Sequence, residues 1–95
     1  MSKKYKNRYI VYGRVQGVGF RRFARNCANE YSIGGYVRNL PDGNVEIEAI
    51  GEPLQIRYFL EKIAQGSWFS DVENIEEINS VQTDFESAPS FLIVR

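Results

Sequence analysis

The chain has 95 residues, 12 basic and 12 acidic side chains, a single cysteine and no histidine. This length predicts one domain over residues 1–95, whose core buries roughly two-thirds of the surface that the unfolded chain exposes. The lack of histidine and of a second cysteine excludes an intramolecular disulfide, a Ser-His-Asp triad, a Cys-His dyad and any metal site built on histidine or paired thiolates.

Charge is distributed unevenly along the chain, although the net charge is zero. Basic residues gather in the N-terminal half, where they can attract a small anion, and the part after Gly51 is mostly acidic. Zero net charge predicts neither a nucleic-acid partner nor association with a membrane. Residues 1–8 are polar and basic, which predicts a flexible tail, and no apolar run is long enough for a membrane span. We therefore expect a cytoplasmic protein. We also expect a monomer, although no residue pattern decides the oligomeric state.

The first predicted elements are a strand, a glycine-containing loop and a helix. Residues 9–15 are rich in β-branched and aromatic residues, which predicts a strand, and it ends at a loop over residues 16–19. Cys27 lies on the apolar stripe of the helix that follows, so we expect it to be a buried packing residue. That stripe repeats at helical spacing through Phe20, Phe23, Ala24, Cys27, Ala28 and Tyr31.

A hairpin follows this helix in the predicted order. Residues 36–40 and 45–50 have the composition of strands, and residues 45–50 place Val45, Ile47 and Ala49 on one face. The Pro-Asp-Gly-Asn sequence at residues 41–44 between them is typical of a tight turn.

The C-terminal part predicts a second helix and further strands. Pro53 suits the first turn of a helix that Gly66 would end, and Trp68 and Phe69 are then expected to cover the edge of the core. Phe91–Val94 is short and almost wholly apolar, which predicts a final strand. The segment before it favours a helix by period but an irregular strand by composition, and we predict the strand. Its apolar residues fall three apart, at Val72, Ile75, Ile78 and Val81.

The order of elements is therefore βαββαβ. Right-handed crossovers in this order place both helices on one face of an antiparallel sheet of four to five strands. The predicted fold class is thus α+β, a ferredoxin-like sandwich. Because this fold supports many unrelated functions, it decides nothing about activity.

The loop at residues 16–19 and the start of the helix after it have the features of an anion-binding site. Gly17 and Gly19 allow backbone conformations in which successive N–H groups face one point, and the helix adds its unpaired first-turn N–H groups. Arg21 lies in that first turn, where a cation opposes the helix dipole unless an anion is bound. Its guanidinium matches two phosphoryl oxygens. The alternative, that Arg21 and Arg22 are simply exposed helix residues, has similar weight on these residues alone.

Nucleotide binding is poorly supported by the same loop. The chain lacks the Gly-Lys-Ser/Thr ending of a Walker A loop, and Arg22 stands where the third glycine of a G-x-G-x-x-G fingerprint would fall.

Two longer motifs carry a resemblance to a known family. The first is Gly-Arg-Val-Gln-Gly-Val-Gly-Phe-Arg at residues 13–21, and the second is Gly-Tyr-Val-Arg-Asn at residues 35–39, followed by Pro-Asp-Gly and Val-Glu. In this order and at this separation they resemble the two signatures of the acylphosphatase family. The similarity spans nearly the whole chain, and two long motifs are far more specific than a glycine pattern.

The resemblance implies the same βαββαβ sandwich and a hydrolase that cleaves the carboxyl-phosphate bond of a small-molecule acyl phosphate, without a metal or other cofactor. The products would be a carboxylate and inorganic phosphate. Arg21 would bind the phosphoryl group, and Asn39 would orient the attacking water. The backbone N–H groups that bind the phosphoryl oxygens would belong to Gln16, Gly17, Val18, Gly19 and Phe20.

Two positions depart from the family pattern. Ser32 stands where many members carry glycine just past the first helix, and Tyr36 replaces a common tryptophan. Both concern packing or a helix end, so they bear on element boundaries more than on activity.

Two other functions stay open. A ferredoxin-like sandwich can bind RNA by stacking bases on sheet aromatics, here Tyr9, Tyr12 and Tyr36, although the third strand is acidic where that function expects a basic run. A non-catalytic module that binds phosphate or another anion would keep the loop and hydrolyse nothing.

Overall fold

The computed structural model describes residues 3–95, in which five strands and two helices follow the predicted order βαββαβ with one further strand at its end. The elements are β1 (Lys4–Arg14), α1 (Phe20–Glu30), β2 (Gly34–Asn39), β3 (Val45–Gly51), α2 (Pro53–Gln65), β4 (Asp71–Thr83) and β5 (Phe91–Val94).

The five strands form one sheet in the order β4-β1-β3-β2-β5. Pairing is antiparallel between β1 and β3, β1 and β4, and β2 and β3, but β5 runs parallel to β2. The prediction of an antiparallel sheet is therefore wrong for β5, and the sheet is mixed. The reason is that β4 and β5 lie at opposite edges, so the chain crosses the end of the sheet where β2 begins and then runs in the direction of β2. A strand that no hairpin joins to its neighbour is free to pair in parallel.

The N-terminal part of the described chain belongs to the sheet. Tyr5 lies opposite Gly51 of β3 and Gln82 of β4, and residues 6–8 continue both pairings. Asn7 is buried there, and its Oδ1 accepts a hydrogen bond from the Ser80 hydroxyl at 2.7 Å. The prediction of a flexible tail over residues 1–8 is therefore wrong for residues 4–8, because this polar segment pairs with a neighbouring strand on each side. Met1 and Ser2 lie outside the described residues.

The core lies between the two helices and one face of the sheet. Strand alternation turns Val37, Val45 and Ile47 toward the helices, and all three are fully buried. Cys27 is buried as predicted, and this burial raises the pKa of its thiol. The helices contribute the predicted apolar stripes, from which Phe20, Ala24, Cys27, Ala28, Ile56, Phe59 and Ile63 join the core.

Two bulges explain the unusual spacing of apolar residues in β4. The register against β1 shifts between Arg8 and Tyr9 and again between Tyr12 and Gly13, and each shift inserts one extra residue into β4. The insertion between Val72 and Ile75 puts both side chains on the helix face although they are three apart. The other two apolar residues of this spacing, Ile78 and Val81, are exposed and do not belong to the core.

The ends of the helices follow the predicted signals. Pro53 occupies the first turn of α2, and the Gly66 N–H donates to the carbonyl groups of Lys62 and Ile63 where that helix ends. Ser32, just past α1, has the positive φ of 58° that a glycine usually adopts. Within residues 3–95, neither helix combines the length and the apolarity needed to cross a membrane.

The prediction that Trp68 and Phe69 cover the edge of the core is wrong. Their exposed fractions are 97% and 73%. They lie in a tight turn in which the Ser67 N–H donates to Ser70 Oγ at 2.7 Å and the Ser70 N–H donates to the Ser67 carbonyl at 3.3 Å. Because the turn closes immediately after α2, its two central side chains point into solvent.

Candidate active site

The predicted anion-binding loop connects the end of β1 to the start of α1. Gly17 and Gly19 have φ values of 72° and 74°, in the left-handed region that favours glycine. A Cβ atom built on either residue would meet nothing within 4 Å. Glycine is therefore required here by backbone conformation, and the space beside both residues is open.

The start of α1 leaves backbone donors free. Gly19 is the N-cap residue and supplies no side-chain cap, and the first turn contains no acidic residue. The first helical hydrogen bond runs from the Phe23 N–H to the Gly19 carbonyl at 3.1 Å, so the N–H groups of residues 20–22 have no acceptor inside the helix. Such a turn binds anions through its N–H groups and through the positive end of the helix dipole.

Val18 and Phe20 hold this loop against the protein. Phe20 is fully buried in the core, and Val18 packs against the same cluster as a half-buried side chain. Because these side chains point inward, the backbone of the loop can face outward at Gly17 and Gly19, which are exposed.

Arg21 projects from the first turn of α1 toward the edge of the sheet. The residue is half-buried, and Nη1 donates a hydrogen bond to the carbonyl oxygen of Val94 in β5 at 3.3 Å. A guanidinium carries five N–H donors, so this contact fixes the side chain and leaves donors for a ligand. The contact between α1 and a C-terminal strand gave no signal in the sequence.

Asn39 is the last residue of β2, and strand alternation places it on the helix face of the sheet together with Val37. Its Oδ1 atom is buried and accepts no hydrogen bond from any residue in the described range 3–95. An unpaired buried acceptor is costly, and native structures rarely keep one without a reason such as a bound water. The same strand lies beside β5, where Arg38 is opposite the Val94 that Arg21 contacts.

Gln16 joins the loop to the hairpin. Its Nε2 atom donates to the carbonyl oxygens of Leu40 and Asn44, both at 2.7 Å. Leu40 directly follows Asn39, so the loop lies against the end of β2 that carries the unpaired amide oxygen. The sequence predicted a role only for the backbone N–H of Gln16, and its side-chain contacts were missed.

The structure thus brings the three predicted parts of the site to one end of the sheet. The glycine loop and α1 offer N–H donors, Arg21 offers a cation, and Asn39 offers an acceptor. This arrangement can bind a tetrahedral anion and hold one water beside it. Among residues 3–95, no group of three or more His, Cys, Asp or Glu side chains could hold a metal ion.

Arg38, next to Asn39 in the second motif, lies on the other face of the sheet. Its Nε donates to Glu46 Oε1 at 2.6 Å, and the Tyr36 hydroxyl donates to the same oxygen at 3.0 Å. The hydrogen bond to the Glu46 carboxylate raises the pKa of Arg38. The pKa of Tyr36 is also raised, mainly by burial and to a smaller extent by the same carboxylate. Arg38 is therefore engaged with Glu46 and contributes nothing to the candidate site.

Of the three tyrosines that could stack on RNA bases, only Tyr12 and Tyr36 lie on the face of the sheet away from the helices. Tyr9 is only 3% exposed and faces the helices. Tyr12 donates its hydroxyl hydrogen to Glu76 at 2.7 Å, and Tyr36 is bonded to Glu46. One ring is buried and the other two lie beside carboxylates, which disfavours contact with a phosphate backbone.

Comparison with known proteins gives consistent matches over nearly the whole chain. A family model described as acylphosphatase matches residues 7–93, which include both motifs. A curated acylphosphatase from Solibacter usitatus is 40% identical over 87 residues, which cover 92% of this chain and 91% of the relative. One from Archaeoglobus fulgidus is 46% identical over 77 residues, covering 81% and 86% of the two chains. The crystal structure of acylphosphatase from Bacillus subtilis superposes with a TM-score of 0.82 at 39% identity and covers 96% of this chain and 99% of that one.

Proposed function

The chain belongs to the acylphosphatase family, hydrolases that act on acyl phosphates, and from this premise we propose a role for each group of the site. Arg21 and the backbone N–H groups of residues 16–20 bind the phosphoryl group. Asn39 holds the water that attacks it. The monomeric state stays a prediction. The cytoplasmic location stays a prediction.

The chemistry explains why so few groups suffice. The leaving group is a carboxylate, whose conjugate acid has a pKa of about 4, so it departs without being protonated. Phosphoryl transfer passes through a loose transition state with charge on the equatorial oxygens, which donors and cations stabilise. Arg21 and the first turn of α1 supply that positive potential from the protein alone, and the proposal therefore includes no metal ion.

The observation that carries the proposal is the position of Asn39 at the end of β2, beside the anion-binding loop, with an amide oxygen that no residue in the range 3–95 bonds. A carboxamide oxygen accepts a hydrogen bond from water and does not itself titrate, so it can orient the attacking oxygen without acting as a base. Holding that water in line with the leaving oxygen removes much of the entropy cost of the reaction. The proton of the water then leaves through the phosphate or the solvent.

The test is hydrolysis of benzoyl phosphate by the purified protein in excess chelator, with inorganic phosphate as a competitive inhibitor. We expect Asn39→Ala to lower kcat by about 10²-fold while the inhibition constant for phosphate changes little. Arg21→Ala should lower kcat by about 10²- to 10³-fold and also weaken phosphate inhibition, since Arg21 contacts both bound phosphate and the transition state.

Neighbouring residues of the same type provide the controls. Arg22→Ala and Asn26→Ala remove exposed side chains from α1 and should leave both constants near those of the wild type. If Asn39→Ala lost phosphate inhibition while Arg21→Ala kept it, the two roles would be reversed from those proposed. If the wild-type protein bound phosphate without turning over benzoyl phosphate, the module would be a non-catalytic anion binder.

A further inference from the structure

The side chain of Gln16 connects the two halves of the candidate site. One half is the anion-binding loop, in which Gln16 is the first residue, and the other is the end of β2 with Asn39. Nε2 of Gln16 donates to the carbonyl oxygens of Leu40 and Asn44 at 2.7 Å each. A carboxamide nitrogen has two hydrogens, so these bonds use its whole donor capacity. The side chain is half-buried, which limits competition from solvent for the two carbonyls.

Both acceptors belong to the turn that closes the hairpin of β2 and β3. The Leu40 N–H donates to the Asn44 carbonyl at 2.9 Å, and the Gly43 N–H donates to the Leu40 carbonyl at 3.2 Å. The turn is held together by its own hydrogen bonds, so it moves as a unit with the end of β2. A bond from Gln16 to its two sides therefore fixes the position of the loop relative to Asn39.

We propose that Gln16 is a positioning residue that sets the distance between the bound phosphoryl group and the water on Asn39, an inference that rests on the proposed function. In-line attack needs the reacting atoms about 3–3.5 Å apart, and a displacement of about 1 Å can cost 10²-fold in rate. Phosphate binding depends instead on Arg21 and on backbone N–H groups. Loss of the Gln16 contacts should therefore affect turnover more than binding.

Gln16→Met tests this with a side chain of the same length and no donor. We expect kcat for benzoyl phosphate to fall by about 10- to 100-fold, with the inhibition constant for inorganic phosphate little changed. Gln16→Asn keeps the carboxamide but shortens its reach, so it should show the same pattern and serves if the methionine variant does not fold. Gln82→Met is the matched control, because Gln82 is exposed on β4 at the opposite end of the sheet and should be silent.

The substitution is then repeated in the Asn39→Ala background. If Gln16 acts through Asn39, Gln16→Met has no further effect on kcat there; if the full loss recurs, Gln16 acts through the loop or through stability and the inference is wrong. Wild-type turnover with a fully active Gln16→Met contradicts the inference alone. A wild-type protein without turnover contradicts the proposed function and the inference together.

Discussion

Ser32 adopts a backbone conformation that its side chain disfavours. At φ 58° it is the only residue other than glycine with a positive φ among residues 3–95. This region costs an L-residue roughly 1–2 kcal/mol, whereas glycine reaches it freely but loses more chain entropy on folding. We expect Ser32→Gly to raise the free energy of unfolding by about 0.5–1 kcal/mol, measured by urea denaturation.

Ser87→Gly is the matched control for this change. Ser87 is exposed and has no positive φ, so glycine relieves no strain there and only increases the entropy of the unfolded chain. The free energy of unfolding should stay the same or fall. A Ser32→Gly variant no more stable than the wild type would show that the conformation carries no strain.

Single residues differ in how far the sequence alone can assign them. Roles for Arg21 and Asn39 could be proposed because each lies in a long motif whose other residues restrict the interpretation, and these roles stay predictions. A role for the side chain of Gln16 could not, because its acceptors are backbone carbonyls, which every residue has, and they lie far along the chain. Backbone acceptors leave no mark in a sequence, so such contacts become visible only when the fold is known.

At the scale of elements, β1 is one of the three inner strands of the sheet. It lies between β3 and β4, and residues 5–8 pair with both neighbours. A chain that begins at residue 9 loses the backbone hydrogen bonds of this segment to both neighbours, each bond worth about 1 kcal/mol, and the buried Asn7. We expect a loss of at least about 5 kcal/mol, comparable to the whole stability of a small domain. Circular dichroism and urea unfolding would show no cooperative transition.

The control for this truncation is a chain that begins at Lys4, where β1 begins. Its urea midpoint should remain close to that of the full chain. If the chain beginning at residue 9 unfolded as cooperatively as the full chain, residues 4–8 would be the dispensable tail that their composition predicted.

The other elements show why composition failed at the edges of the sheet. Both helices were predicted closely, since apolar spacing, Pro53 and Gly66 are local signals. The direction of β5 is set by where the chain arrives after crossing the sheet, and a short apolar run such as Phe91–Val94 is the same in either direction. In β4, the bulges change which residues face the helices, and bulges are determined by pairing with β1.

At the scale of the whole molecule, the candidate site depends on parts of the chain that are distant in sequence. Arg21 of α1 contacts Val94 of β5, and the loop after β1 contacts the hairpin through Gln16. Partial unfolding of the sheet would therefore separate the groups proposed to bind phosphate. A ligand of this site binds the folded state and not the unfolded chain, so it must stabilise the protein by mass action.

Inorganic phosphate, the product of the proposed reaction, should consequently raise the midpoint of thermal unfolding. At ten times its dissociation constant the stabilisation is about 1.4 kcal/mol, and at one hundred times about 2.7 kcal/mol. For a chain of this length each kcal/mol corresponds to roughly 4–8 °C. Arg21→Ala should lose most of the shift, while Asn39→Ala should keep it, because Asn39 is proposed to hold water and not the anion.

Sodium chloride at the same ionic strength is the control, because general screening of the separated basic and acidic parts of the chain also changes stability. Differential scanning calorimetry over a range of phosphate concentrations distinguishes the two effects, since specific binding follows a logarithmic dependence on free phosphate that chloride does not reproduce. An equal shift in the wild type and in Arg21→Ala would mean that phosphate binds elsewhere. That result would remove Arg21 from the site even if the enzyme hydrolyses acyl phosphates.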